Sequence, residues 1–84
     1  MAPRKSPTQR GTNVIGPRIR LARERFKPAV TQSDLAARLG VLGVDLDRPT
    51  VTRIEAGKRY LRDYEIKAIA KALKVAVEWL FAED

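Results

Sequence analysis

Apolar residues in this chain recur three and four positions apart, and this spacing restricts its fold more than any other feature. Such spacing places side chains on one face of an α-helix. Two stripes show it clearly: Ile15, Ile19, Ala22 and Phe26 in the first, and Ile66, Ile69, Ala70 and Leu73 in the second. No stretch alternates apolar and polar residues as a half-buried strand does, so the sequence predicts an all-α fold.

Capping residues divide the chain into further helices. Thr31, followed three residues later by Asp34, predicts the capped start of a second helix. Asp47 predicts the start of a third helix, and Gly57 predicts its end as a left-handed cap. Asp63 is the predicted N-cap of a fourth helix, which contains the second apolar stripe.

The length of 84 residues is enough for one small domain. Residues 1–12 are rich in Pro, Ser, Thr and basic side chains and have little to bury, so we expect a disordered basic tail. Residues 13–84 are the predicted folded domain, which ends in a fifth, short helix with Val77, Trp79, Leu80 and Phe81. The predicted architecture is therefore five helices around one core.

The charge of the chain is strongly asymmetric. The formal net charge is +7, from 17 basic and 10 acidic residues. Residues 1–30 carry eight cations and one anion, whereas residues 31–84 carry nine of each. A surplus of this kind predicts attraction to a polyanion, with nucleic acid the first candidate and an anionic membrane the second.

The residue types that are absent exclude several functions. Histidine and cysteine do not occur, so the commonest general base, the usual nucleophilic thiol and the main ligands of transition metals are missing. No apolar run approaches the roughly 18–20 residues of a membrane span, and no signal peptide is visible. We expect no enzymatic activity, no cofactor, no metal, no small-molecule ligand and no membrane partner, and a cytoplasmic location.

The second and third predicted helices have the layout of a helix-turn-helix, in which the second of the pair lies in the major groove of DNA. On a helical wheel of the third helix, the core-facing residues are Val51 and Ile54, and the opposite face presents Pro49, Thr52, Arg53 and Ala56. Four blocks in order, IGPRIRLARE, TQSDLAARLG, RPTVTRIEAGKR and EIKAIAKALKVAVEWLF, resemble the phage-repressor-like helix-turn-helix family of the Cro/XRE type. The resemblance covers about residues 14–82.

This resemblance implies a compact, five-helix, lambda-repressor-like domain that is usually dimeric and binds double-stranded operator DNA. Carried over by position, it implies DNA contacts from Gln32, Arg48, Pro49, Thr50, Thr52, Arg53, Lys58 and Arg59. Among these, Gln32 matches the phosphate-holding residue that opens the second helix, and Lys58 and Arg59 match the loop that touches the DNA backbone. The resemblance also implies a structural ion pair between Arg23 and Glu55, which anchors the recognition helix.

The chain departs from the family pattern at three points. Between Leu39 and Arg48 it carries GVLGVDLD, about five residues more than the short turn of the simplest members. Two alternatives follow: the second helix is longer by a turn, or the connection is a loop. Lys74 stands where the family often has a helix-ending glycine, and Ala76 where a capping residue such as serine is common.

The sequence therefore predicts a sequence-specific DNA-binding transcriptional regulator, acting as a repressor in a bacterial or phage-type system. The alternative is an antitoxin-like module that binds a partner protein as well as DNA. Three large apolar residues of the short last helix cannot all point inward, so we expect Trp79 or Phe81 to make a dimer contact, with Leu80 in the core. A basic amphipathic membrane binder is disfavoured, because the core needs the one apolar stripe of the first helix.

Overall fold

The computed structural model describes residues 12–82, and five α-helices make up most of this part of the chain. They are α1 (Gly16–Glu24), α2 (Gln32–Val41), α3 (Arg48–Glu55), α4 (Asp63–Leu73) and α5 (Val77–Leu80). Residues 12–82 contain no strand, and the predicted all-α fold of five helices is confirmed. The predicted disordered tail lies outside the described residues, except for Thr12.

The helices enclose one small core. Helices α3 and α4 each pack against both α1 and α2, and α5 packs against α4. The largest fully buried side chains are Ile15, Ile19, Leu35, Leu39, Val51, Ile54, Ile69, Leu73 and Leu80. Burial of a side chain of this size contributes about 1.5–3 kcal/mol. Because Val51 and Ile54 on the inner face of α3 are buried in this core, the direction of its outer face is fixed.

Both predicted stripes lie on the core side of their helices. In the first stripe Ile15, Ile19 and Ala22 are buried, and Phe26 packs at the edge of the core under the Arg38 guanidinium. In the second stripe the buried residues are Ile69, Ala70 and Leu73, and Ile66 lies at the edge. The helical spacing in the sequence therefore identified the core faces of α1 and α4 correctly.

The predicted caps of α2 and α3 are present. At α2 the Asp34 N–H donates to Thr31 Oγ1 at 2.9 Å, and the Thr31 N–H donates to Asp34 Oδ2 at 3.1 Å. At α3 the Thr50 N–H donates to Asp47 Oδ1 at 3.0 Å. These bonds satisfy backbone donors that have no partner within the first turn of a helix.

The prediction that Asp63 is the N-cap of α4 is wrong by one residue. Asp63 is the first helical residue, and Arg62 occupies the cap position in an extended conformation. The nearly buried Glu65 reaches back to accept the Arg62 N–H at 2.9 Å. Within the first turn, Asp63 Oδ1 accepts the Tyr64 N–H at 2.6 Å, so side chains of the helix itself bind the backbone donors at its start.

The connection between α2 and α3 is a loop. Helix α2 ends at Val41, and residues 42–47 form an irregular segment. Gly43 adopts a φ of +84°, a conformation that L side chains rarely take. Leu46 is buried and ties the segment to the core. Of the two alternatives for the inserted residues, the structure therefore shows the loop.

The turn between α4 and α5 uses less favourable residues than the family pattern. Lys74 ends α4 in the left-handed conformation with a φ of 59°, which glycine adopts at lower cost. Ala76 precedes α5 without any side-chain cap. The burial of Leu80, which has no exposed surface, therefore holds α5 in place.

The start of α1 is tied to the end of α3. Asn13 Oδ1 accepts the N–H groups of Ile15 and Gly16, and its Nδ2 donates to the carbonyl oxygens of Ile54 and Arg59 at 3.0 and 2.9 Å. The backbones also approach closely, since a Cβ atom on Gly16 would lie 2.5 Å from the Ile54 oxygen.

No helix within residues 12–82 has the length and apolar character needed to span a membrane.

Candidate nucleic-acid interface

The outer face of α3 gathers five of the residues to which the sequence analysis assigned DNA contacts. Val51 and Ile54 are buried, so the helix has only one orientation. The opposite side presents side chains that are exposed, or half-buried in the case of Thr50: Arg48, Pro49, Thr50, Thr52 and Arg53. Arg53 Nη2 lies 3.4 Å from Thr50 Oγ1, one turn away on the same side of the helix.

Asp47 stands at the start of this face and is engaged as the helix cap. The side chain and the backbone N–H of Thr50 bond to its carboxylate and lower its pKa from the ordinary value. Arg53 adds a smaller electrostatic contribution in the same direction. The negative charge of Asp47 is thus directed at the first turn of α3, where it is favourable for the helix.

The ion pair between Arg23 and Glu55 joins α1 to α3. Arg23 Nε lies 2.6 Å from Glu55 Oε2 and Arg23 Nη2 lies 2.9 Å from Glu55 Oε1, a two-point contact. The side chains are only 10% and 6% exposed. Hydrogen bonding of Arg23 to the Glu55 carboxylate raises the pKa of Arg23 despite the opposing effect of burial. Arg23 Nη1 also donates to the Val30 carbonyl at 2.8 Å, which brings the segment before α2 into the same cluster.

Gln32 lies between this ion pair and the outer face of α3. Its Nε2 donates to Glu55 Oε1 at 3.0 Å, and its Oε1 accepts from Thr52 Oγ1 at 2.8 Å. An amide nitrogen carries two hydrogens, and within residues 12–82 Glu55 is the acceptor that binds one of them. The predicted phosphate-holding residue is therefore positioned by two protein partners and keeps one N–H for a ligand.

The two predicted phosphate contacts in the loop after α3 have different environments. Lys58 is exposed and forms no ion pair within the described residues, while its backbone N–H closes α3 on the Arg53 carbonyl. Arg59 Nη1 instead lies 3.0 Å from Glu65 Oε1 and 2.9 Å from the Tyr60 carbonyl. The charge of Arg59 is thus largely satisfied inside the protein, and this was not expected from the sequence.

The aromatic residues near the C-terminus have different environments. The Arg18 guanidinium lies 3.8 Å from the centroid of the Trp79 ring, and Arg18 Nε donates to the Trp79 carbonyl at 3.1 Å. Trp79 is half-buried, whereas Phe81 is 46% exposed. Phe81 lines a groove together with Val14, which is 50% exposed.

Sequence reasoning missed two residues that shape this site. Asn13 caps α1 and holds the loop after α3, and its position four residues before Pro17 was the available signal of a helix start. Glu65 binds Arg59, but nothing in the local pattern marks a glutamate on α4 as the partner of a loop residue. No group of acidic side chains within residues 12–82 is arranged to hold a metal ion.

Comparison with known proteins agrees with this geometry. A family model described as Helix-turn-helix, of the XRE type, matches residues 19–80, which is most of the chain. No curated protein and no solved structure matches the chain at a significant level. Members of the family are DNA-binding transcription regulators. With α2 and α3 in the helix-turn-helix arrangement and most of its length matched, the chain belongs to the Cro/XRE-type helix-turn-helix family.

Proposed function

We propose that this chain is a transcriptional repressor that binds operator DNA as a homodimer, with α3 of each subunit in the major groove. The outer face of α3 is the observation that carries the proposal. Arg48, Thr52 and Arg53 are exposed there, while Val51 and Ile54 are anchored in the core. Such a regulator acts in the cytoplasm of a bacterial or phage-type host.

Arg48 and Arg53 are the proposed base readers. The guanidinium group can bind guanine O6 and N7 with two hydrogen bonds, which discriminates against other bases by about 1–3 kcal/mol. Neither arginine forms an ion pair within the described residues, so both remain available for DNA. Pro49 has no backbone donor and packs on a thymine methyl group, and Thr50 contacts a phosphate or a methyl group.

Gln32, Lys58 and Arg59 are the proposed phosphate contacts. Gln32 has one amide N–H left at the start of α2, where the helix dipole also favours an anion. Lys58 is exposed and unpaired within residues 12–82, whereas Arg59 is bound to Glu65. We therefore expect Lys58 to contribute more to the salt dependence of DNA binding than Arg59 does.

The groove lined by Val14 and Phe81 is the proposed dimer contact. Both side chains are about half exposed, and burying apolar surface of this kind favours association. Trp79 is half-buried and partly covered by Arg18, and it is the second aromatic residue proposed for the contact. A dimer with two-fold symmetry presents two α3 helices to one face of the duplex.

Selection of binding sites from a random duplex pool tests the function. The expected product is a pseudo-palindrome whose half-site centres lie about one helical turn, roughly 34–36 Å, apart. Affinity for the selected site should fall steeply with salt, because each neutralised phosphate releases a counterion. A pool that shows no enrichment, or binding that is independent of salt, would contradict DNA recognition.

Sedimentation of the protein alone and on its selected duplex tests the homodimer. We expect Phe81→Ser to weaken dimerisation by roughly tenfold or more, since the change removes one large apolar side chain from each side of the contact. Tyr60→Ser is the matched control, because Tyr60 is 75% exposed and does not line the Val14–Phe81 groove. A wild-type protein that is monomeric both free and on DNA would favour the antitoxin-like alternative, in which another protein covers the groove.

A further inference from the structure

A continuous chain of hydrogen bonds connects the buried ion pair to the outer face of α3. Glu55 Oε1 accepts from Arg23 Nη2 at 2.9 Å and from Gln32 Nε2 at 3.0 Å. Gln32 Oε1 then accepts from Thr52 Oγ1 at 2.8 Å. Thr52 is exposed, so the last member of the chain lies on the surface assigned to DNA.

The charge of Glu55 sets the direction of every bond in this chain. A carboxylate that is bound at two points by an arginine is ionised and can only accept hydrogen bonds. The NH₂ end of the Gln32 amide must therefore face Glu55, and its carbonyl end must face Thr52. It follows that the Thr52 hydroxyl donates its single hydrogen to Gln32.

The second hydrogen-bond partner of the Thr52 hydroxyl is also an acceptor. Thr52 Oγ1 lies 3.1 Å from the Arg48 carbonyl oxygen, one turn earlier in α3. This oxygen is also only an acceptor, so both partners of the hydroxyl compete for the one hydrogen. No hydrogen is left for an acceptor on a base, and the hydroxyl offers DNA a lone pair beside its methyl group.

We infer that Thr52 is a specificity-determining residue that accepts a hydrogen bond from the exocyclic amino group of adenine or cytosine and excludes guanine. In the major groove these amino groups are the donors, whereas guanine presents only the acceptors O6 and N7. This inference rests on the proposed function, because it requires α3 to lie in the major groove. To that function it adds that Thr52 accepts, and the base donates, the hydrogen bond of one contact, and it gives the reason for this direction.

Glu55 is a positioning residue in this scheme. In Glu55→Gln the side chain at position 55 gains donors, so the Gln32 amide can turn over and donate to Thr52 Oγ1. The Thr52 hydrogen then becomes available to a base. We expect this variant to lose less affinity than the wild type when the base that faces Thr52 lacks its amino group, although Glu55 is buried away from the DNA surface.

Site selection with Thr52 variants tests the inference directly. Thr52→Val keeps the shape and the methyl group but loses the lone pair, whereas Thr52→Ser keeps the hydroxyl. At the base pair that responds to Thr52→Val, we expect removal of the exocyclic amino group of the adenine or cytosine to lower the affinity of the wild type and of Thr52→Ser by about three- to tenfold, as one hydrogen bond allows. We expect Thr52→Val to be insensitive to this removal and to favour thymine there. Tyr64→Phe is the control, because it removes an exposed hydroxyl on α4 that is outside the chain of bonds to Glu55.

The outcomes separate the two proposals. An unchanged wild-type affinity after removal of that amino group would overturn the inference while leaving DNA recognition intact. An unchanged selected site in Thr52→Val would overturn it as well. If no variant selects any sequence, the proposed function fails. Thr52 is exposed, so its variants keep the fold, and they carry the test even if Glu55→Gln melts too low for selection.

Discussion

At the scale of single residues, the Arg23–Glu55 pair combines two functions that are usually separate. It joins α1 to α3 beneath the outer face of α3, and through Gln32 it orients the Thr52 hydroxyl on that face. Breaking a buried pair leaves one charge without a partner in a poorly solvated place, which is costly. The stability of the fold and the chemistry of its outer face therefore depend on the same two side chains.

We expect Arg23→Ala and Glu55→Ala each to lower the free energy of unfolding by roughly 3–5 kcal/mol. This is a large share of the about 5–8 kcal/mol available to a domain of this size. Replacing both residues by apolar side chains should recover much of the loss. Thermal melting of the two single variants and the double variant measures the coupling. Single variants that melt like the wild type, with additive effects, would show that the pair does not stabilise the fold.

Gly16 lies where the backbone of α3 comes close to the backbone of α1. A Cβ atom there would lie 2.5 Å from the Ile54 oxygen and 2.6 Å from the Glu55 oxygen, and both are backbone atoms that cannot turn aside. We expect Gly16→Ala to destabilise the fold by about 1–3 kcal/mol, because α1 must move away from α3.

Gly40→Ala is the matched control for this prediction. Gly40 also lies in a helix, but a Cβ atom there would meet nothing within 4 Å. We expect this variant to stabilise the fold by about 0.5–1 kcal/mol, the usual gain in a helix. Denaturant unfolding of both variants compares them. Equal effects of the two substitutions would contradict the described contact between α1 and α3.

At the scale of elements, the starts of the helices are sensitive to acid. Hydrogen bonds from Thr31 lower the pKa of Asp34, and hydrogen bonds from Thr50 lower the pKa of Asp47. Burial raises the pKa of Glu65, but hydrogen bonds from Arg59 and Arg62 outweigh it and leave the pKa lowered. A carboxylate with a lowered pKa stabilises the fold above its unfolded-state pKa, and this contribution is lost as the pH falls through the folded-state value.

We therefore expect thermal stability to be level near neutral pH and to fall below about pH 4, around and below the ordinary pKa of these carboxylates. Asp34→Asn and Asp47→Asn keep a capping oxygen without its titration. The double variant should melt close to the wild type at pH 7 and lose less stability on acidification. Melting curves between about pH 2 and 7 measure this, and identical acid dependence in both proteins would disprove the assignment to the caps.

How much the sequence predicts also differs between elements. The starts of α2 and α3 could be predicted because Thr31 and Asp47 cap backbone groups within three residues of themselves. The start of α4 could not, since Glu65 reaches back to Arg62 while Arg59 holds it from another segment. The outer face of α3 followed from the burial of its inner face. By contrast, the environment of Arg59 and the chain of bonds through Gln32 depend on contacts between distant residues.

At the scale of the whole molecule, one small core supports α3, which is held at both of its ends. Asn13 and Gly16 fix the C-terminal end of α3, and the Asp47 cap fixes its N-terminal end. The exposed arginines are thus presented from a helix that is restrained along its length. The proposed base readers Arg48 and Arg53 lie on α3, and the proposed phosphate contact Lys58 lies in the following loop.

The central claim is that the outer face of α3 reads sequence, and titration of Arg53→Ala with the selected duplex and a scrambled duplex tests it most directly. We expect Arg53→Ala to lose about 5- to 150-fold in affinity for the selected site, corresponding to about 1–3 kcal/mol, with a much smaller loss on the scrambled duplex. Lys58→Ala is the matched comparison and should lower the affinity for both duplexes alike. It should also reduce the dependence of affinity on salt by the amount expected for the loss of about one phosphate contact. An equal loss on both duplexes for Arg53→Ala would contradict the account.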